Sequence, residues 1–228
     1  MLALLASTCI LTASTAPTPK QITNDWALET YGPKMEFQVH RDGKKIGSHQ
    51  VTFSETEQGH LQVEAETRLR VKFLFLTAYK FDYKTKSIWQ DSTLKRLDAR
   101  TRDGGDVTEF SANFDMSSVT IQMDDKQKTH DIQSPLFPTN HWNPSVLDRT
   151  SVFNTITGRV NDIEIIPRDW ETIDTPNGPI KARRYDYAGD LQDVSSWYDE
   201  KGRWVGLRFK GRDGSTISYE CVQCGVSG

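Results

Sequence analysis

Residues 194–224, VSSWYDEKGRWVGLRFKGRDGSTISYECVQC, read as three β-strands joined by two tight turns and closing on a Cys-x-x-Cys. Val205, Leu207 and Phe209 alternate with polar or small residues, and so do Ile217, Tyr219 and Cys221. A period of two marks a strand with one buried face. Lys201-Gly202 and Asp213-Gly214 supply the turns, because glycine reaches positive φ at no steric cost.

The same grammar runs upstream. Strands are expected at 160–169 and 180–188, either side of Asn177-Gly178. Nearer the start, Met35, Phe37 and Val39 alternate over 34–41, Asp42-Gly43 turns the chain, and 46–54 returns. The clearest periodicity puts Leu61, Val63, Ala65, Thr67, Leu69, Val71 and Phe73 on one face and Gln62, Glu64, Glu66, Arg68, Arg70 and Lys72 on the other. An ordinary strand has about five or six residues, and longer ones suit a strongly curved sheet or barrel. Phe73-Leu74-Phe75-Leu76 then breaks the alternation, which Tyr79, Phe81 and Tyr83 resume. Further strands are predicted at 88–101, 106–114, 117–123 and 128–132, with Asp- and Gly-rich turns between them. One helix is expected over 144–157: Asn143 is a good N-cap, Pro144 suits the first turn, and Val146, Thr150, Phe153 and Ile156 share a face. The fold class is therefore mainly β, a strongly curved antiparallel sheet or barrel of about 10–13 strands with one main helix as a lid.

The net charge of −3 speaks against a nucleic-acid partner, which would call for a basic face. Residues 2–11 are apolar and too short to span a bilayer, and small residues follow at 12–16. This is the pattern of a cleaved secretory leader, although it carries no Lys or Arg before the apolar run. Thr8 makes a poor lipidation motif before Cys9. The expected organisation is a signal peptide at 1–16, a linker at 17–32 whose Trp26 and Tyr31 can fold back, and a single β domain at 33–228. No other segment is apolar enough to span a membrane, so the expected location is periplasmic or secreted. Removing the leader leaves Cys221 and Cys224. In an oxidising compartment the preferred reading is a disulfide, with labile thiols and metal ligation as alternatives. Residues three apart on a straight strand sit about 10 Å apart, beyond disulfide reach, so the strand must end near Cys221 and turn through Val222-Gln223.

The loop SPLFPTNHWN at 134–143 is the best place for chemistry, with His141 between Asn140 and Trp142. A histidine there suits a base, a hydrogen-bond donor or a metal ligand. Equally, it suits a structural cap beside a core tryptophan. His49 is its candidate partner. With His40 the pair would make a three-histidine zinc set, although no metal-ligand spacing such as H-E-x-x-H occurs. No nucleophile elbow, phosphate loop or dinucleotide fingerprint is present, so no metal or cofactor is expected. Six Trp, seven Tyr and ten Phe, many at alternating positions, suit either a filled core or a ligand cavity inside a curved sheet. Phe73, Phe75, Tyr79, Phe81, His141 and Trp142 are the expected cavity residues.

The opening YGPKMEFQVHRDGKKIGSH, the PTNHWN loop at 138–143 and the ending SSWYDEKGRWVGLRFKGRDGSTISYEC make the chain resemble the bacterial secreted proteins grouped as domain of unknown function 6134. The ending is also similar to domain of unknown function 3108. These resemblances imply a curved antiparallel β fold like that of periplasmic lipid carriers, and they bring no catalytic residue with them. The leading expectation is a non-enzymatic β-barrel-like module holding an apolar small molecule or lipid in a sheet-enclosed cavity. The alternatives are a hydrolase or metal protein centred on His141, and an envelope scaffold that binds a protein partner and no small ligand.

Overall fold

The computed structural model describes residues 24–73, 76–133 and 135–225. A short helix, α1 (Asn24–Tyr31), precedes fourteen strands. The first eight are β1 (Lys34–Arg41), β2 (Lys44–Glu55), β3 (Leu61–Phe73), β4 (Leu76–Gln90), β5 (Thr93–Asp103), β6 (Asp106–Phe114), β7 (Ser118–Met123) and β8 (Lys126–Asp131). A long connection leads to β9 (Ser151–Asn154), β10 (Arg159–Ile173), β11 (Ile180–Gly189), β12 (Val194–Asp199), β13 (Trp204–Lys210) and β14 (Thr216–Gln223). All named strand pairs are antiparallel, and the order is β8-β7-β6-β5-β4-β3-β2-β1-β14-β13-β12-β11-β10-β9. The first and last strands thus meet in the middle of one sheet. Among the described residues β8 and β9 do not pair, so the barrel-like sheet is not closed.

Two strand assignments differ from the sequence reading. The expected strand at 88–101 is the end of β4 and most of β5, separated by a hairpin at Asp91-Ser92. Both residues are left-handed, with φ of 47° and 64°, a turn made without glycine. The expected helix at 144–157 is replaced by a five-residue 3-10 turn, Pro144–Asp148, followed by β9. Asn143 does cap, its side chain accepting from Ser145 N at 3.0 Å. Beyond it, Thr150, Val152, Thr155 and Ile156 are β-branched and favour extended backbone. Their neighbours gain partners that a helix would deny them: Phe153 N donates to Phe137 O (2.8 Å) and Thr139 N donates to Phe153 O (3.1 Å).

The α-helix lies instead in the stretch expected to be linker. Trp26, Ala27 and Tyr31 of α1 are buried in the main core. Tyr31 stacks on Phe53 with ring centres 5.3 Å apart, and Trp26 meets Tyr31 edge-on. The leader-like residues 1–16 lie outside the described residues.

The connection between β8 and β9 turns inward and buries Leu136, Phe137, Asn140, His141, Trp142 and Asn143. Together with Trp89, Trp204, Tyr31 and Phe37 it packs the barrel at the end where β1 begins and β2 finishes. That end is filled by protein. The opposite end, where β1 finishes and β2, β4 and β14 begin, is here termed the mouth.

Cys221 and Cys224 form a disulfide with Cα atoms 5.9 Å apart. The strand does not end at Cys221. Phe37 pairs with Cys221 and Glu36 with Gln223, which leaves Val222 as an extra bulge residue. A bulge bends its strand, and here it brings the second thiol back to the first.

Candidate functional site

His141 stands at φ +58°, a conformation that histidine enters more readily than most residues. Tyrosines hold the loop around it. Tyr198 OH donates to His141 O (2.8 Å), Tyr31 OH donates to Trp142 O (2.7 Å), and Trp204 N donates to Tyr31 OH (3.0 Å). The imidazole meets the Tyr187 ring edge-on, with Nδ1 3.3 Å from its hydroxyl, and Ser196 Oγ donates to that same hydroxyl.

His49 reaches the same indole from β2. The ring centres of His49 and His141 each lie 5.6 Å from that of Trp204. His49 Nδ1 is 2.7 Å from Thr67 Oγ1, while its buried Nε2 has no protein partner. Burial holds His49 down to about 3, with the nearby His141 adding to the effect, and burial alone holds His141 down to about 4. Both are therefore neutral at pH 7. Burial also pushes Tyr187 up to about 12, so its hydroxyl stays protonated.

The two histidines predicted from sequence are thus brought together, but they are enclosed by Phe37, Trp204, Tyr219 and Tyr187. A general base must come within hydrogen-bond reach of a substrate proton, and in this structure both rings are buried. His40 falls on the opposite face, with Nδ1 3.1 Å from Glu220 Oε1, so the three-histidine set is not assembled. Among the described residues no cluster of three or more His, Cys, Asp or Glu has metal-binding geometry.

Register explains the polar band at His49. Phe37, His49, Thr67, Tyr83 and Thr101 are successive cross-strand partners from β1 to β5. The next row towards the mouth is Val39, Gly47, Leu69 and Phe81. Val39, Leu69 and Ile217 form a second buried apolar cluster, flanked by half-buried Ile46 and joined to the main core through half-buried Phe81, Phe209 and Tyr219, which pack against both. Next to it lies an open groove of about 710 Å³ lined by Arg41, Asp42, Lys44, Lys45, Ile46, Gly47, Arg70 and Val71.

The predicted cavity residues therefore divide. Phe81 packs against both the mouth cluster and the main core. Tyr79 is on the same strand, exposed, and donates to Asp103 Oδ1 at 2.6 Å. Trp142 lies in the filled end against Trp89 and Phe53, and His141 lies in the core between. Phe75 and the side chain of Phe73 fall outside the described residues. The sequence reading missed Ile46, Phe209, Ile217 and Tyr219 as one patch. It also missed the cationic groove, although Lys44-Lys45-Ile46 after the Asp42-Gly43 turn was a visible signal. A second groove of about 630 Å³ crosses β4, β5 and β6, but its Arg100 pairs with Glu109 and its Lys84 with Glu64, as on a solvated strand face.

The family described as Domain of unknown function (DUF6134) matches residues 37–222. Among solved structures the chain is similar to a β-barrel-like protein of domain of unknown function DUF1849 from Brucella abortus. That alignment has a TM-score of 0.60 at 10% identity and covers 86% of this chain and 97% of the other. No curated protein matches.

Proposed function

The chain belongs to the family of Domain of unknown function (DUF6134), and we propose that it is a non-enzymatic binding module that takes an apolar or lipid-like ligand at the mouth of its barrel-like sheet. One observation carries this reading: beside the buried Val39, Leu69 and Ile217 cluster, Ile46, Phe81, Phe209 and Tyr219 are only half covered, the last three also packing against the main core. Apolar surface left partly uncovered next to a groove is the usual make-up of a ligand site. The filled end offers no such surface, because Trp89, Trp142 and Trp204 are fully buried there. The location proposed is periplasmic or secreted, on the strength of the apolar run at residues 2–11 and the small residues after it.

The test is fluorescence titration of delipidated protein with the neutral probe N-phenyl-1-naphthylamine. Saturable binding that Phe81→Ser weakens about tenfold is expected, since removing a half-buried aromatic ring forfeits about 1.4 kcal/mol of burial. Absence of saturable binding by protein with native circular dichroism refutes the reading. Location is tested separately by sequencing the mature N-terminus after expression in the native host. An uncleaved chain recovered from the cytoplasm counts against export.

A further inference from the structure

We propose that the mouth recognises the anionic headgroup of a single-chain amphiphile, seated among Arg41, Lys44, Lys45 and Arg70 while the chain lies on the adjoining apolar cluster. This rests on the apolar-ligand reading above and adds the chemistry of the head.

The argument begins with a β-bulge. Val39 pairs with Gly47 but His40 pairs with Lys45, so Ile46 is an extra residue on β2. Ile46 packs against the apolar cluster and also lines the groove. Ile46 is the residue common to both, so the half-buried fringe of the cluster meets the cationic groove at this bulge, with Val39 and Leu69 buried behind it. Gly47 lies in the same wall. A Cβ there would sit 1.9 Å from Arg68 O, so β2 and β3 approach each other in a way that only glycine permits.

The charges follow a pattern that folding does not favour. Arg41 and Lys44 are direct cross-strand partners, and like charges so placed destabilise a sheet. Arg41 is offset by Asp213 Oδ2 at 2.5 Å. Arg70 is fixed by Asp82 Oδ1 at 2.5 Å and donates to the carbonyls of Leu69 and Phe81, the two residues that carry the apolar row. Among the described residues neither Lys44 nor Lys45 has an ion-pair partner. The one carboxylate lining the groove, Asp42, accepts from Thr216 N at 2.9 Å through Oδ1. Two guanidinium groups held in place and two unpaired ammonium groups at the edge of an apolar surface complement an anion carrying a hydrocarbon chain. The chain as a whole carries −3, so this concentration of cations does not follow from overall composition. Guanidinium and ammonium groups bind phosphate and carboxylate oxygens through charge-assisted hydrogen bonds.

The test is isothermal titration of the full chain below the critical micelle concentration with dodecyl phosphate, dodecylphosphocholine, dodecyl maltoside and inorganic phosphate. Dodecyl phosphate is expected to bind about tenfold tighter than dodecyl maltoside, an increment typical of one or two charge-assisted contacts. The double substitution Lys44→Gln/Lys45→Gln is expected to abolish that preference and leave dodecyl maltoside unchanged. Equal affinity for the three dodecyl compounds overturns this proposal while the apolar reading stands. No binding of any dodecyl compound overturns both. Inorganic phosphate binding as tightly as dodecyl phosphate overturns the amphiphile. So does binding to anionic vesicles without binding to the monomers, because the surface would then be reading a bilayer.

Discussion

Acidification from about pH 7 to about pH 5 charges histidines in the unfolded chain but not His49 or His141 in the folded one, and the fold should weaken accordingly. Their folded values are lowered to about 3 and about 4 from the usual 6.5. Below 6.5 the unfolded state therefore binds more protons, so stability falls as the pH falls. The loss continues until His141 and then His49 protonate in place. At pH 5 each residue contributes about 2 kcal/mol of destabilisation and the pair about 4 kcal/mol, at about 1.4 kcal/mol per unit for each. That is a large share of a typical domain stability of about 5–15 kcal/mol. The window lies above the carboxylate range, where Asp186 and Asp213, both held low in the folded state, begin to contribute.

Urea denaturation followed by tryptophan fluorescence at about pH 7, 6 and 5 measures the slope. His49→Gln and His141→Asn each remove one titrating ring, and asparagine tolerates the left-handed backbone at 141. Each single variant should lose about half of the pH dependence and the double variant most of it. A wild-type stability that is flat between pH 7 and pH 5 refutes the reasoning. So does a double variant that keeps the wild-type slope.

Tyr31→Phe removes a hydroxyl that bridges Trp142 O and Trp204 N, and thermal unfolding should show a loss of about 1–3 kcal/mol for the buried groups left unpaired. Gly47→Ala forces a Cβ against Arg68 O, so it should cost about 1–3 kcal/mol or more by chemical denaturation, and an unchanged midpoint would contradict the close approach of β2 and β3. Removing the disulfide by Cys221→Ala/Cys224→Ala opens a very short loop and should cost about 2 kcal/mol or less in chain entropy, with the fold retained by circular dichroism.

Most of the strands were legible because their evidence is local. The alternation over Leu61–Phe73 and the glycine turns at Gly43, Gly202 and Gly214 need no knowledge of the rest of the chain. What was misread depended on partners far away in sequence. Residues 151–154 had a passable helical face but became β9 because Arg159–Asp162 and the 137–139 segment supplied backbone partners. Residues 24–31 lacked a strong helical pattern and became α1 because Phe53 and the Trp142 carbonyl received Tyr31. The Asp91-Ser92 hairpin carried no glycine to announce it. Of the site, the sequence named His141 and His49 as candidates, but neither their burial nor their shared contact with Trp204 could be read from their spacing. The bulge at Ile46, which joins the apolar patch to the cations, is a register property that sequence alone does not display.

The strand order explains why one predicted cavity became two separate places. With β1 beside β14, the unpaired edges are those of β8 and β9, and the chain between those strands has to pass there. The connection carries Leu136, Phe137 and Trp142, large apolar groups that gain most by entering the sheet. Once inside, they consume the interior at the filled end, and the row of His49, Thr67, Tyr83 and Thr101 lies between that end and the row of Val39, Leu69 and Phe81. Replacing Thr101 by the isosteric valine should stabilise the fold, since its unpartnered Oγ1 atom would no longer be buried. If the same variant lost neutral-probe binding while gaining stability, the polarity of the band would belong to the binding site. If it gained stability with binding intact, the band would be a folding cost unconnected with the ligand.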